Sequence, residues 1–283
     1  MEKQPAPFWV GVLFLLSAML CHAQVPLLHY DFNEGSGVEA HETGADAATL
    51  EIGTAMGWTA KGRGVDGGTA IGRVGDGDAV LKSATVTKAM PFLCSYTVTG
   101  WVKLYSNEPF RATLFSVSAS GEGRFHLDLV ARRGKKSEPA WLCSFVARAG
   151  SGESAVGIWS PWFNPFARKE VSSEEWIFFA AVIDPTNTSN RVVAFYMGTK
   201  IQPAVTLGAF RLGEHLNPQI YQLKNITEVG MGNLTGEKGG FPVGMYLDEV
   251  SLFGSPEKNA GALTLAELEK IRLKAVEKDQ PSK

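Results

Sequence analysis

Four aspartates stand where carboxylate oxygens could bind a hard cation. Asp31 and Asp248 each interrupt an apolar, strand-like segment, one near each end of the chain. Asp76 and Asp78 lie at the end of the glycine-rich stretch Gly53–Gly77, which we predict to be a loop. Because Ca²⁺ takes about six to eight oxygen ligands, we predict that Asp31 and Asp248 help to hold a structural Ca²⁺ where the two ends of the chain meet. Asp76 and Asp78 are further candidate ligands, and no other cofactor is expected. The alternative is that Asp31 and Asp248 accept hydrogen bonds from backbone N–H groups or pair with arginine and lysine.

A second candidate site is the aromatic segment WSPWFNPF in the middle of the chain. Its prolines cannot donate hydrogen bonds to a sheet, so its aromatic side chains either fold inward or lie exposed. Flat indole rings suit the faces of sugars, and exposed aromatic patches mark recognition sites. We therefore predict that Trp159, Trp162 and Phe166 bind a ligand. The alternative is that they cap the edge of the fold.

Residues 1–23 have the organisation of a signal peptide. Lys3 precedes the apolar run Phe8–Leu20, and the small residues Cys21 and Ala23 form a cleavage site. The run has thirteen residues, whereas a membrane-spanning helix needs about 20. We therefore predict a secreted protein, which is extracellular, periplasmic or at the cell surface, with no transmembrane segment.

Two cysteines, Cys94 and Cys143, lie beyond the signal peptide. Export to an oxidising compartment favours a disulfide bond between them. Alternatively, they are two separate buried thiols, since free cysteine behaves as a small apolar residue. The sequence leaves both interpretations open.

The segments that must position these residues are mostly strands. Apolar and polar residues alternate over Ser95–Tyr105, Arg124–Arg132 and Ala140–Arg148, which is the period of strands with one buried face. Trp176–Asp184 is nearly all apolar, as a strand buried on both faces would be. Many short strands separated by turn residues predict a sandwich or barrel, here one domain over residues 24–258.

A closing strand and a helix follow near the C-terminus. The strand, Gly244–Phe253, is expected to pair with the first strand, Leu27–Phe32. Thr264 and Glu267 then form a capping box, the sequence signature of a helix start. Residues 259–283 are therefore predicted to be a short helix and a polar tail.

The order of these motifs resembles the laminin-G-like jelly-roll family, within the concanavalin A-like lectin and glucanase superfamily. The similar pieces are LLHYDFNEGSG, the glycine segment from Lys61 to Val80, YTVTGWVKL, WIFFAA, FYMGTKI, and YLDEVSLF with ALTLAELEKI. The resemblance spans residues 27–271 and implies an all-β fold, a two-sheet antiparallel jelly-roll sandwich with a short C-terminal helix. The family includes glycan-binding modules, protein-binding modules and structural calcium sites.

No catalytic constellation appears in the sequence. Glucanases of this fold class place a nucleophile and a general acid on one strand in an E-x-D-x-E-like run, and no such run is present. Asp248 and Glu249 are adjacent, so they are expected to point to opposite faces. His126 and Asp128 lie two apart on one strand face, which we interpret as a polar patch. We predict that the protein is not an enzyme.

Composition and resemblance together give the functional expectation. A net charge of −2 offers no basic surface for nucleic acid. The N-terminal segment, the missing catalytic motifs and the resemblance together favour a secreted, non-catalytic binding module whose ligand is a carbohydrate. Adhesion to, or assembly with, other surface proteins is the alternative, and polysaccharide hydrolysis ranks third. The expected partner is an extracellular glycan or a surface protein.

Overall fold

The computed structural model describes residues 25–43, 48–83, 86, 90, 92–104, 110–119, 123–133, 139–148, 156–161, 175–186, 191–211, 222–232 and 240–278. Within them the chain forms sixteen β-strands, numbered in chain order, and one α-helix. The predicted signal peptide, Trp162 and Phe166 lie outside the described residues. No helix in the described ranges is long and apolar enough to cross a membrane.

Eight strands form an antiparallel sheet, called sheet I. In spatial order they are β14 (Val205–Arg211), β13 (Arg191–Thr199), β12 (Ile177–Ile183), β7 (Ser95–Leu104), β16 (Met245–Ser255), β5 (Ile71–Arg73) and β4 (Met56–Trp58), with β1 (Leu28–Tyr30) also paired to β16.

Eight further strands form a second antiparallel sheet, called sheet II. In spatial order they are β11 (Val156–Trp159), β10 (Pro139–Arg148), β9 (Gly123–Arg133), β8 (Phe110–Ala119), β15 (Ile226–Met231), β6 (Leu81–Ser83), β3 (Leu50–Ile52) and β2 (Glu39–Ala40). The predicted all-β, two-sheet jelly-roll sandwich is confirmed.

The first and last strands pair with each other. Leu28 lies opposite Leu252 and Tyr30 lies opposite Val250 in an antiparallel register. All four side chains are fully buried, so the register is fixed by the apolar faces of both strands. The expected pairing of the terminal strands is therefore confirmed.

Two apolar cores flank sheet I. Phe179 and Ile183 of β12 pack in the main core between the sheets, whereas Phe178 and Val182 face a second core on the outer side. Successive residues of a strand point to opposite faces, so β12 is buried on both. This explains why Trp176–Asp184 is apolar almost throughout.

Helix α1 (Leu265–Lys278) covers the outer core of sheet I. It starts with the predicted capping box: Thr264 N donates to Glu267 Oε2 (2.7 Å), and Glu267 N donates to Thr264 Oγ1 (3.4 Å). The side chain of Leu268, on the face of α1 that contacts the sheet, is fully buried. Arg272, also buried, donates to the backbone oxygens of Thr199 and Lys200 and thereby fixes the helix to the turn after β13.

The prediction that Gly53–Gly77 is a loop is wrong, because β4 and β5 lie inside it. Gly57 and Gly72 are directly opposite each other in this pair of strands. A Cβ on Gly72 would lie 2.2 Å from Tyr246 Cδ1, and one on Gly57 would lie 2.8 Å from Val74 Cγ2. These two glycines serve close packing within a sheet, which composition alone does not distinguish from a turn.

The structure contradicts the disulfide interpretation, since Cys94 is a free cysteine. Cys94 directly precedes β7 of sheet I, and its backbone N–H donates to Ser255 O (2.8 Å). Cys143 lies inside β10 of sheet II, opposite Leu129. Cys94 is therefore a separate thiol, as in the alternative, but it is half-buried and lies just before a strand.

The packing of α1 can be tested with two leucines on the same helix. Replacing buried Leu268 with alanine should lower the free energy of unfolding by about 2–5 kcal/mol, because it leaves a cavity in a packed core. The control is Leu265→Ala, whose side chain is 44% exposed and whose loss should cost about 0.5 kcal/mol or less. Urea denaturation followed by far-ultraviolet circular dichroism measures both. Equal losses would show that α1 is not packed as described.

Candidate functional site

A row of four residues crosses the outer strands of sheet II in register. Thr113 of β8 lies opposite Asp128 of β9, and Asp128 lies opposite Ser144 of β10. Ser144 in turn lies opposite Trp159 of β11, the edge strand. Residues directly opposite each other point to the same face of a sheet. The four side chains therefore share one face.

That face is the outer one, directed away from the core. Leu127 and Leu129, which flank Asp128, are buried in the main core between the sheets. Ile158, which precedes Trp159, is also part of that core. Since alternate residues of a strand point to opposite sides, Asp128 and Trp159 point outward.

Asp128 is the centre of the hydrogen-bond network on this face. It is fully buried, and its Oδ1 accepts from Thr113 Oγ1 (2.9 Å). Its Oδ2 accepts from Arg111 Nε (2.9 Å), from the terminal NH2 nitrogen of Arg111 (2.7 Å) and from Ser144 Oγ (3.4 Å). A buried carboxylate needs such partners, because an unpaired buried charge is costly.

His126 completes the cluster on the same face of β9. Its Nε2 lies 3.3 Å from Asp128 Oδ2 and 3.4 Å from the terminal NH2 nitrogen of Arg111. Which of the two contacts is a hydrogen bond depends on the protonation of the ring. Its side chain is 15% exposed, whereas that of Arg111 is 51% exposed.

The exposed groups are thus an oriented guanidinium and an indole. Two contacts from Arg111 to one carboxylate oxygen restrict its rotation, and Trp159 is 56% exposed. Trp159 and Asp128 lie two strands apart, or about 10 Å at a spacing of about 4.8 Å per strand. The face therefore combines hydrogen-bond donors with a flat apolar ring, at a separation that suits a short chain of sugar rings.

The sequence identified part of this arrangement. Trp159 is exposed, as the ligand-binding prediction requires, and its role stays a prediction; Trp162 and Phe166 lie outside the described residues. His126 and Asp128 form a polar patch, as interpreted. The contributions of Arg111, Thr113 and Ser144 were missed, because their strands carry no motif and only the register brings them to Asp128.

Asp248, proposed as a calcium ligand, is fully buried on sheet I. Its Oδ2 accepts from Val65 N (2.7 Å) and its Oδ1 from Glu249 N (2.9 Å). Burial raises the pKa of the Asp248 carboxyl well above its usual range. These contacts match the alternative interpretation, in which backbone N–H groups satisfy the acid.

The other three predicted calcium ligands have different surroundings. Asp31 Oδ1 accepts from Asn33 N (3.3 Å), Asp76 is fully exposed, and Asp78 pairs with Lys82 (2.6 Å). Within the described ranges, no three or more His, Cys, Asp or Glu side chains are grouped so as to hold a metal ion. Calcium binding stays a prediction, which a comparison of melting temperatures with and without EDTA tests.

The last turn of α1 is tied to the terminal strands by charge. Lys278 Nζ lies 2.6 Å from Glu249 Oε1 and 3.6 Å from Asp66 Oδ2. The second carboxylate oxygen of Glu249 lies 3.3 Å from His29 Nε2. Glu249, next to Asp248 in sequence, thus contacts both the Lys278 ammonium group and the His29 imidazole, and Asp66 contacts Lys278.

Comparison with known proteins gives no family assignment. No protein-family model matches the sequence, and no curated protein matches it. Solved structures are similar at low identity, and three of them show the range. The first is the carbohydrate-binding module CBM40 of a Ruminococcus gnavus sialidase bound to α2,3-sialyllactose (15% identity, TM-score 0.39, covering 64% of this chain and 83% of that one).

The other two come from very different sources. One is a pentraxin from Limulus polyphemus (11% identity, TM-score 0.38, covering 66% of this chain and 73% of that one). The other is tailspike protein 2 of bacteriophage CBA120 (11% identity, TM-score 0.48, covering 72% of this chain and 27% of that one). Membership of the laminin-G-like family stays a prediction, and the fold class depends on the strand topology described above.

The raised pKa of Asp248 predicts a specific pH dependence. The folded state holds this proton more tightly than the unfolded chain, where the pKa of aspartate is about 3.9. Its contribution to the free energy of unfolding is therefore present at low pH and is lost as the pH rises through the folded pKa. Asp248→Asn removes the titration. The wild type should lose stability relative to this variant as the pH rises from about 3.9.

Urea denaturation of both proteins across this pH range measures the difference directly. Other titrating groups, His29 among them, are common to both proteins and should largely cancel. A difference in stability that is constant with pH would show that Asp248 titrates equally in the folded and unfolded chains.

The Arg111–Asp128 pair can be tested by a double-mutant cycle. Arg111→Gln should lower the free energy of unfolding by about 1–3 kcal/mol, because it removes a partner of a buried charge. Adding Asp128→Asn should recover part of that loss, since the residual charge is removed. The matched control is the exposed pair of Lys82 and Asp78, which should show a smaller coupling. Strict additivity at Arg111 and Asp128 would contradict the described contact.

Proposed function

We propose that the protein is a secreted, non-catalytic module that binds a glycan on the outer face of sheet II. The observation that supports this most directly is the register that places Trp159 on the same face as the Asp128 network. An indole at a sheet edge offers an apolar surface to a sugar ring, while polar groups two strands away offer hydrogen bonds to its hydroxyls.

The balanced charge of the Arg111–Asp128 pair favours a neutral sugar. Arg111 and Asp128 compensate each other at 2.7 Å, so their sum adds no net charge to the face. The guanidinium still has N–H donors beyond those that contact Asp128, since it carries five in all. Such donors can bind sugar hydroxyls, whereas a carboxylate ligand would meet a cation that is already paired.

The contacts of Asp128 support a binding role over a catalytic one. Its Oδ1 accepts from Thr113 and its Oδ2 from Arg111, so both oxygens are occupied by protein donors. A general acid or nucleophile needs an oxygen directed at the substrate. We therefore assign Asp128 the task of orienting Arg111 and His126. Release of reducing sugar from a bound polysaccharide would overturn this and favour the hydrolase alternative.

Export is part of the proposal. A short apolar run ending in a small-residue cleavage site within residues 1–23 supports secretion, and an extracellular protein meets polysaccharides at surfaces and in its medium. Peptide sequencing of the protein recovered from culture medium tests this. A mature N-terminus at Gln24 is the expected result, and retention of residues 1–23 would contradict it.

Trp159 provides the direct test of the glycan site. Trp159→Ala should weaken binding to a neutral glycan by about tenfold to hundredfold, because a large apolar side chain contributes about 1.5–3 kcal/mol when it is buried. Screening the wild type on a glycan array selects the probe, and isothermal titration calorimetry measures both proteins. The control is Ile201→Ala, an exposed apolar side chain beyond the end of β13 in sheet I.

Two results would overturn the proposal. Unchanged affinity after Trp159→Ala would remove the sheet II face as the site. Binding of a cell-surface protein with no glycan retained on the array would favour the adhesion alternative. An unchanged melting temperature for Trp159→Ala, expected because the side chain is exposed, separates lost binding from lost folding.

A further inference from the structure

A cleft of about 340 Å³ lies on the outer face of sheet I, on the other side of the sandwich from the Trp159 face. This volume is within the range of about 300–1,000 Å³ that is typical of sites for small ligands. The residues that line the cleft are Trp58, Thr59, Ala60, Arg63, Val74, Lys103, Trp176 and Tyr246.

Two glycines lie side by side next to the cleft and let neighbouring side chains pack directly on the sheet. Gly72 of β5 is opposite Gly57 of β4 on one side and opposite Tyr246 of β16 on the other. The Tyr246 ring lies over Gly72, since a Cβ there would be 2.2 Å from its Cδ1. Lys103 of β7 is the next residue in this row, directly opposite Tyr246. An aromatic ring and an ammonium group are therefore neighbours on one face.

The turn that carries Arg63 forms the rim. Arg63 N donates to Ala60 O (3.1 Å), which closes the turn. Trp176 Nε1 donates to Arg63 O (3.2 Å), and Trp176 is itself buried in the outer core. The backbone of Arg63 is thus held from two sides, while its side chain is exposed.

The charge of the lining differs from that of the sheet II face. Two of the eight residues, Arg63 and Lys103, are cations, and none of these eight described residues is an acid. Cations that line a concave site favour an anionic ligand, and a guanidinium suits a carboxylate in particular. The aromatic ring of Tyr246 adds an apolar surface of the kind that packs against a sugar ring.

We propose that this cleft is a second binding site, which takes a carboxylate-bearing sugar unit of a polysaccharide. Arg63 binds the carboxylate from the rim, Lys103 adds a second positive charge beside it, and Tyr246 packs against the ring. The site is separate from the neutral-sugar site proposed on sheet II, so either can fail without the other. A protein with both would bind a polysaccharide that contains neutral and acidic units.

The test uses an oligogalacturonate and the same oligomer with its carboxylates methyl-esterified, titrated into the full-length mature protein by calorimetry. The acid form should bind at least about tenfold more tightly than the ester, and its affinity should fall with added salt. Arg63→Gln and Lys103→Gln should each weaken binding of the acid form by about tenfold to hundredfold, the range for one hydrogen bond to a charged group.

Lys61→Gln is the matched control. Lys61 is exposed, lies two residues from Arg63 in the same turn and does not line the cleft, so its loss should change affinity by less than about twofold. Arg63→Lys should bind with intermediate affinity, because it keeps the charge and loses the planar donor pair.

Three results would overturn the proposal. The first is equal affinity for the acid and the ester, or no binding of either. The second is an equal loss of affinity in Lys61→Gln and Arg63→Gln, which would indicate diffuse attraction to the whole surface. The third is tighter binding of a hexaglutamate peptide than of the oligogalacturonate, which would make the cleft a site for acidic protein segments.

Discussion

The structure depends on the antiparallel pairing of the first strand with the last. β16 lies between β7 on one side and β1 with β5 on the other, so it completes sheet I and joins the two ends of the domain. At its centre the pairing with β7 is interrupted between Asp248 and Ser251, and Glu249 has a positive φ of 49°. This bulge directs the Asp248 carboxylate to Val65 N and lets Glu249 meet Lys278 of the helix.

The two faces of the sandwich are built for different contacts. On sheet II, a buried carboxylate holds one guanidinium and balances its charge, and an indole lies at the sheet edge. On sheet I, a cleft lies beside the aromatic ring of Tyr246, and its two charged lining residues, Arg63 and Lys103, are both cations. Helix α1 packs on the outer face of sheet I through the apolar residues of the outer core. The cleft lies beside that core, where the Tyr246 ring packs over Gly72.

Local sequence patterns predicted the features that depend on neighbouring residues in the chain, namely strand periodicity, strand burial and the helix start. Alternation identified the long strands, the apolar run of β12 indicated burial on both faces, and Thr264 with Glu267 marked the helix start. Contacts that depend on the register between strands could not be predicted from the sequence. Arg111 and Ser144 reach Asp128 only through the pairing of three strands, and Gly72 looks like a turn residue until Tyr246 is placed over it. The free Cys94 is a further case, because sequence does not give the distance between two thiols.

The central claim is that a neutral glycan packs on Trp159 of sheet II. The chain has seven tryptophans, of which Trp9 lies in the predicted signal peptide. The indole N–H resonances of a ¹⁵N-labelled mature sample can therefore be followed individually, with the Trp159 signal assigned by its loss in Trp159→Phe. On titration with a neutral oligosaccharide retained in the glycan screen, the Trp159 resonance should shift in proportion to occupancy. The resonance of Trp101, which is 1% exposed, should stay in place. Saturable binding with no movement of the Trp159 resonance would contradict the account.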